Sequence, residues 1–202
     1  LFAPLRVYAS YGTSYKAPTL SERYGTNFFN IGNPNLKPEE GKSAEVGFDY
    51  TPIEALKFGA SYFDTEITNL IEYNFATTRN INIGRAEIDG FETYVQGKLG
   101  ETATLRAGYV FTDARNPLAF GVKRLARRPA NVWSLDGAVE VTEKLTLTGG
   151  WTWTSSRVDV TYDNNGNFQF GSGRTPGFDY GRIAANYALT DALTLYAAAN
   201  NV

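Results

Sequence analysis

Cysteine, histidine and methionine are all absent from the 202 residues. Without Cys there is no disulfide framework, no thiolate nucleophile and no thiolate metal ligand. Without His, neither a Ser-His catalytic pair nor imidazole ligation of a metal can be assembled from this chain. Without Met, residue 1 is not a translation start. The alternating pattern is already under way at Leu5 and still running at Val202, so the chain is expected to be part of something larger. No signal-peptide pattern and no long apolar run occurs, so no helix spans a bilayer. Membrane-crossing β-strands, which are short and individually weak signals, are untouched by that test. A basic excess is missing too: 19 Lys and Arg against 21 Asp and Glu leave a net charge of -2, which argues against nucleic acid as a partner.

What is abundant points one way. Aromatic residues make up 14% of the chain and Gly numbers 20, high for a soluble domain and ordinary for a barrel with aromatic girdles. Leu5, Val7, Ala9 and Tyr11 alternate with Arg6, Tyr8, Ser10 and Gly12, and Ala44, Val46, Phe48 and Tyr50 alternate with Ser43, Glu45, Gly47 and Asp49. This is the period of a strand with one apolar and one polar face. Leu145, Leu147, Trp151 and Trp153 stand against Thr146, Thr148, Thr152 and Thr154. Trp133, Leu135, Val139 and Val141 stand against Ser134, Asp136 and Glu140, and Leu105, Ala107, Tyr109 and Phe111 against Arg106, Gly108 and Thr112. One face suits lipid and the other a wet lumen. Along Leu56, Phe58, Ala60 and Tyr62 the phase slips at Phe63, which predicts a bulge there or the strand leaving the membrane.

A repeated unit sets the connections. An acid in a polar turn precedes an apolar residue two positions on at Glu54/Leu56, Glu101/Ala103, Glu143/Leu145 and Asp191/Leu193. These are equivalent short turns along one edge of a sheet. The other connections, Lys16 to Lys42, Phe75 to Asn80, Asp113 to Pro129 and Asp163 to Pro176, are mostly long. Short turns on one side and long loops on the other is the asymmetry of an outer-membrane barrel, turns periplasmic and loops outside. A soluble β-sandwich also alternates. Strands as long as Leu56 to Tyr73 and Leu145 to Val160 exceed the ~5–6 residues usual in globular sheets, and Tyr and Trp gather near strand ends, so the membrane reading is preferred. The expected fold is all-β, an antiparallel transmembrane β-barrel.

Several residues carry candidate chemistry. Arg127 and Arg128 sit where a long loop descends into the Trp133 strand. Regular pairing would put Arg128 on the inner face with Ser134 and Asp136, able to hydrogen-bond a polar or anionic ligand. The alternative is pairing with carboxylates of neighbouring strands. Tyr24, Phe28 and Phe29 on the first long loop offer an apolar cap over a bulky ligand, or pack on each other and on the loop's prolines. Asp163 to Asn167 is oxygen-rich, but its spacing matches no calcium loop and it reads as a surface turn, so no metal site and no cofactor is expected.

The stretches YGTSYKAPTL (Tyr11 to Leu20) and GNPNLKPEEGKSAEVGFDY (Gly32 to Tyr50) resemble the signature region of TonB-dependent outer-membrane transporters, and within that family are most similar to the cobalamin transporters. NLIEYN, NIGRAEIDGFE, YVFTDAR, RLARRPA and LTLYAAANNV extend the likeness over essentially the whole chain. The resemblance implies about nine strands of a 22-stranded plugged barrel, residues 1–202 being the C-terminal part of the barrel domain with the plug absent. It implies an integral protein of the Gram-negative outer membrane, with membrane lipid, TonB and a nutrient such as cobalamin or a ferric siderophore as partners. The mechanism it implies is tight binding and gating with no covalent chemistry, so not an enzyme. It also favours Arg157 as a ligand contact, although strand parity places that residue on the outward face. A passive porin or barrel adhesin is the alternative of a different class; an outer-membrane hydrolase comes third, its usual histidine base being absent.

Overall fold

A computed structural model describes the backbone of residues 4–27, 30–74, 77–119, 123–162, 165 and 168–202, and their side chains apart from those of 160–162 and 168–172. The described elements are β1 (Leu5–Lys16), α1 (Leu20–Tyr24), β2 (Thr26–Asn27), β3 (Asn30–Ile31), β4 (Glu39–Ile53), β5 (Leu56–Asn74), β6 (Arg79–Leu99), β7 (Ala103–Arg115), β8 (Asn131–Thr142), β9 (Leu145–Thr154), β10 (Arg157–Tyr162), β11 (Phe168–Thr175), β12 (Phe178–Thr190) and β13 (Leu193–Asn200). The wall is one antiparallel sheet in the order β1, β4, β5, β6, β7, β8, β9, β12, β13, with β10 and β11 as a separate ribbon between β9 and β12. The nine wall strands match the sequence expectation. The sheet is open, since β1 and β13 each pair on one side only.

The four acid-bearing turns fall where the repeat places them, at 54–55, 100–102, 143–144 and 191–192, all along one edge. They are tied locally: the Thr142 hydroxyl accepts from the backbone N–H groups of Lys144 and Leu145, and Gly100 takes a φ of 68° that a side chain would resist. At the opposite edge the connections 17–38, 116–130 and 155–177 are long. The fourth is short because its strands are not: β5 has 19 residues and β6 has 21, so this hairpin stands well above its neighbours.

Register settles the faces. Leu5, Tyr50, Phe58, Val95, Ala107, Leu135 and Trp151 lie in one cross-strand row. Ala9, Val46, Tyr62, Phe91 and Phe111 form a row above it on the same face. Leu135 is 41% and Trp151 42% exposed, large apolar side chains that nothing in the wall covers. On β7 this outer apolar stripe runs from Ala103 to Phe111. At ~3.3 Å per residue and ~40° tilt it is about 20 Å from end to end, fitting within the ~25 Å band of an outer-membrane barrel. Its upper margin is aromatic: the Tyr109 ring stacks 4.3 Å from Trp133 and meets Phe91 edge-on at 5.6 Å.

Phe63 carries no bulge. Pairing of β5 with β6 runs in a single register from Leu56↔Gly97 to Asn74↔Arg79. The phase slips because Phe63 points to the inner face, where it lies over Gly90, a position where a Cβ would meet the phenyl ring and the Phe111 carbonyl. On the outer face Tyr62 is followed by Asp64, the point at which the strand leaves the apolar band.

Arg at Leu135 or Trp151 in the full-length barrel is therefore expected to cost ~2–4 kcal/mol near the band centre, while Thr148→Arg on the inner face is tolerated. Folding into lipid followed by heat-modifiable gel mobility reads the difference; equal tolerance on the two faces contradicts the assignment.

Candidate functional site

The candidate residues that are described, Tyr24, Arg127, Arg128 and Arg157, all fall at the long-loop edge. In the first long connection, Thr19 caps α1: its hydroxyl accepts from the Glu22 N–H at 3.2 Å while the Glu22 carboxylate accepts from the Thr19 N–H at 2.7 Å. The loop is pinned to the tall β5–β6 hairpin. The Asn33 amide donates to the Asn80 carbonyl at 3.0 Å, the Lys37 N–H donates to Asn82 Oδ1 at 2.8 Å, and the Asn82 amide donates back to the Lys37 carbonyl at 3.0 Å. Tyr24, 58% exposed, ends α1 with the Arg23 guanidinium 5.5 Å from its ring. Phe28 and Phe29 lie outside the described residues.

The connection between β7 and β8 folds back rather than standing free. Arg124 bridges to Arg115, the Leu125 N–H donates to the Ala114 carbonyl at 2.9 Å, and the Leu125 side chain is buried with Ala86 and Ala114. This anchor presents Arg127 to the β10–β11 ribbon. The Arg127 backbone N–H donates to the Val158 carbonyl at 2.7 Å and its Nε donates to Asp159 Oδ1 at 2.9 Å. The Thr175 hydroxyl completes the Asp159 carboxylate at 3.1 Å. Arg127 holds this position at a φ of 61°, a left-handed conformation costing about 1–2 kcal/mol for a residue with a Cβ, so the latch must offset that cost.

Arg128 is exposed and sits in the loop, not in β8, so the parity count from Ser134 does not reach it. It faces Glu72 of β5. Partial burial pushes the Glu72 carboxyl above its ordinary pKa, and the positive charge of Arg128 opposes that shift without cancelling it. Arg157 opens β10 directly opposite Thr175, half-buried, its guanidinium 5.8 Å from the Phe178 ring. The parity count for Arg157 crosses an interruption: β9 ends at Thr154, and Ser155 and Ser156 break the strand before β10 begins. Arg127 and Arg157 thus come to the same ribbon, Arg128 meets the tall hairpin, and Tyr24 stands on a loop fastened to that hairpin. Of the Asp163 to Asn167 stretch only Asn165 is described, as an exposed turn residue.

Sequence reasoning missed α1, Asp159, Glu72 and the asparagine ties. Thr19 and Glu22 three residues apart are a capping-box signal that was available. Asp159 and Glu72 carry no such mark, because their partners lie far away along the chain.

An antiparallel wall with an apolar outer band, a polar inner face, short turns below and folded loops above defines part of a transmembrane β-barrel of the outer-membrane kind. The chain belongs to the TonB-dependent receptor-like β-barrel family, whose model matches residues 1–202. Members of this family are outer-membrane transporters and receptors. The chain is 29% identical over 202 residues to the vitamin B12 transporter BtuB of Vibrio cholerae serotype O1, a match covering 97% of this chain and 30% of that protein. It therefore spans under a third of the length of the curated relatives it matches. Among solved structures, the copper transporter OprC superposes with a TM-score of 0.76 at 18% identity, covering 98% of this chain and 31% of that one. FpvA of P. aeruginosa, bound to heterologous pyoverdine and iron, superposes with a TM-score of 0.71 at 24% identity over 100% of this chain and 27% of its own. These two likenesses show the fold.

Two outcomes are expected at this edge. Arg127→Ala and Asp159→Asn in the full-length protein each speed amide exchange in both the 116–130 loop and β10, with a coupling of about 1 kcal/mol in a double-mutant cycle; exchange confined to one element contradicts the latch. The raised Glu72 pKa means the folded state holds that proton more tightly than the unfolded state. Stability is then greatest below the unfolded pKa and falls as pH rises from there through the folded pKa. Glu72→Gln removes this component, which unfolding curves across that pH range measure.

Proposed function

We propose that residues 1–202 form the C-terminal part of the barrel domain of an outer-membrane transporter for a scarce, bulky nutrient of the cobalamin type, energised through TonB. The observation that carries this reading is the likeness to the vitamin B12 transporter of Vibrio cholerae along 97% of the chain, loops included. In this reading the short turns face the periplasm, the long loops face outward, and the plug and the TonB-contacting segment belong to parts of the protein beyond these residues. Membrane lipid surrounds the apolar band. The work done is binding and gating, with no covalent step.

The ligand meets the loop edge. Arg128, exposed, and Arg157, half-buried beside Phe178, supply guanidinium forks for amide or phosphate groups of a corrinoid, and Tyr24 supplies an aromatic face for its ring. Arg127 supports the site through Asp159. Cyanocobalamin titrated into the purified full-length transporter is expected to bind at micromolar concentration or below. Arg128→Ala or Arg157→Ala is expected to weaken it about ten- to a hundredfold, ~1–3 kcal/mol per lost charged hydrogen bond. Absence of cobalamin binding alongside binding of a ferric siderophore moves the substrate class; unchanged affinity in both variants makes these arginines structural.

A further inference from the structure

Toward the short-turn edge, the inner face of the wall carries more positive charge than its carboxylates balance. Two neighbouring cross-strand rows hold it. One runs through Arg6, Asp49, Gly59 and Tyr94, and the row below it through Lys57, Gln96, Arg106, Asp136, Gly150 and Arg182. Asp49 takes both Arg6 and Lys57, at 3.2 and 3.5 Å, and Asp136 takes Arg182 at 2.7 Å. Arg106 makes no ion pair among the described residues.

We infer that this stretch of lumen wall is a binding site for carboxylate or phosphate groups of a solute inside the barrel, with Arg106 and Arg182 as its anion-binding groups. The site depends on the transport reading for having a solute to meet, and not on that solute being a corrinoid.

Arg106 stands directly opposite Asp136, the cross-strand position at which an ion pair would stabilise the wall. Asp136 is committed elsewhere. Arg182 reaches it across Gly150, where a Cβ would meet Arg182 Nε at 2.6 Å and Asp136 Oδ1 at 2.7 Å, so the glycine opens the crossing. Arg106 turns the other way, its guanidinium 3.8 Å from the centre of the Tyr94 ring and Nη1 donating to Gln96 Oε1 at 3.3 Å. Stacking fixes the plane of a guanidinium and leaves most of the N–H groups on its edge free to donate. Arg182 is more exposed than the carboxylate it pairs with, so it too keeps donors open to the lumen. Both arginines line one hollow of 420 Å3, together with the small side chains of Thr104, Ala138 and Thr148. One guanidinium lies over β6 and the other at β8, roughly 10 Å apart at the usual strand spacing. That span is too wide for one inorganic ion and suits a bulky solute presenting two anionic groups.

The test is arginine modification by phenylglyoxal in the purified full-length protein, followed residue by residue by mass spectrometry at constant ionic strength. Two probes are titrated: methylphosphonate, and an alkane bisphosphonate of about the span between the two arginines. Arg106 and Arg182 are expected to react in the absence of probe. The bisphosphonate is expected to protect both at a concentration at least about tenfold lower than methylphosphonate, because its second contact is intramolecular. Arg79, exposed at the tip of the tall hairpin, is expected to show no such advantage. Arg182→Gln is expected to reduce protection of Arg106 by the bisphosphonate to the methylphosphonate level; if that variant does not fold, the comparison in the unaltered protein decides alone. Equal protection by the two probes overturns the inference, as does an undiminished advantage in folded Arg182→Gln. Failure of both arginines to react without probe also overturns it, and assigns them to a carboxylate from a part of the same protein beyond residues 1–202. If cyanocobalamin does not bind the transporter, the nutrient changes while the bisphosphonate result still decides this site.

Discussion

A strand that crosses hydrocarbon must pair every backbone N–H and C=O with a neighbouring strand, because no water is there to take their place. From that requirement follow the uninterrupted ladders of this wall. β5 and β6 keep a single register over their whole length, and the shifts on the wall fall at the short turns, between Tyr50 and Ile53, Glu140 and Thr142, and Ala188 and Thr190. Irregularity is placed where water can satisfy the backbone. The same requirement fixes side-chain faces, since a ladder without slips preserves parity from the turn edge to the aromatic margin.

This explains what could be read from residues alone. The alternation around Leu145 and Trp151, the acid-bearing turns and the outer stripe on β7 all obey parity, and parity is local information. It stopped being reliable where the ladder stopped being obligatory. Phe63 reads as a slip because an aromatic ring on the inner face looks, in sequence, like a residue on the wrong side; the missing information was Gly90, far along the chain and across the strand gap. Parity for Arg157 has to be counted through Ser155 and Ser156, where the strand breaks. Arg128 lies before β8 begins at Asn131, in loop, where parity carries no information.

The loop edge obeys a different logic, in which side-chain hydrogen bonds replace the ladder. Asn33, Asn80 and Asn82 fasten one connection to the tall hairpin, Leu125 sinks a second into a small apolar cluster, and Arg127 ties that second connection to the β10–β11 ribbon. Such contacts join residues distant in the chain, so composition hints at them only faintly. Their effect is to fasten the described parts of the loops to the wall and to one another in a defined arrangement.

On the wall itself, charges are tied to rings and to one another across neighbouring strands. On the inner face Tyr94 lies over Gly59, where a Cβ would collide with its ring, and donates its hydroxyl to Asp49 at 2.6 Å. Asp49 in turn pairs with Arg6 at 3.2 Å and Lys57 at 3.5 Å, while Arg106 stacks 3.8 Å from the centre of the Tyr94 ring. Phe63 lies over Gly90 in the same manner. Glycine on one strand gives the aromatic ring on the next a place to lie down, and the ion pairs follow the ring along the wall instead of reaching into the lumen. The pairing holds the acids more closely than the cations: the Asp49 side chain is 17% exposed, while its partner Arg6 keeps 71% of its surface open on the inner face and Arg182, paired to Asp136, keeps 62%.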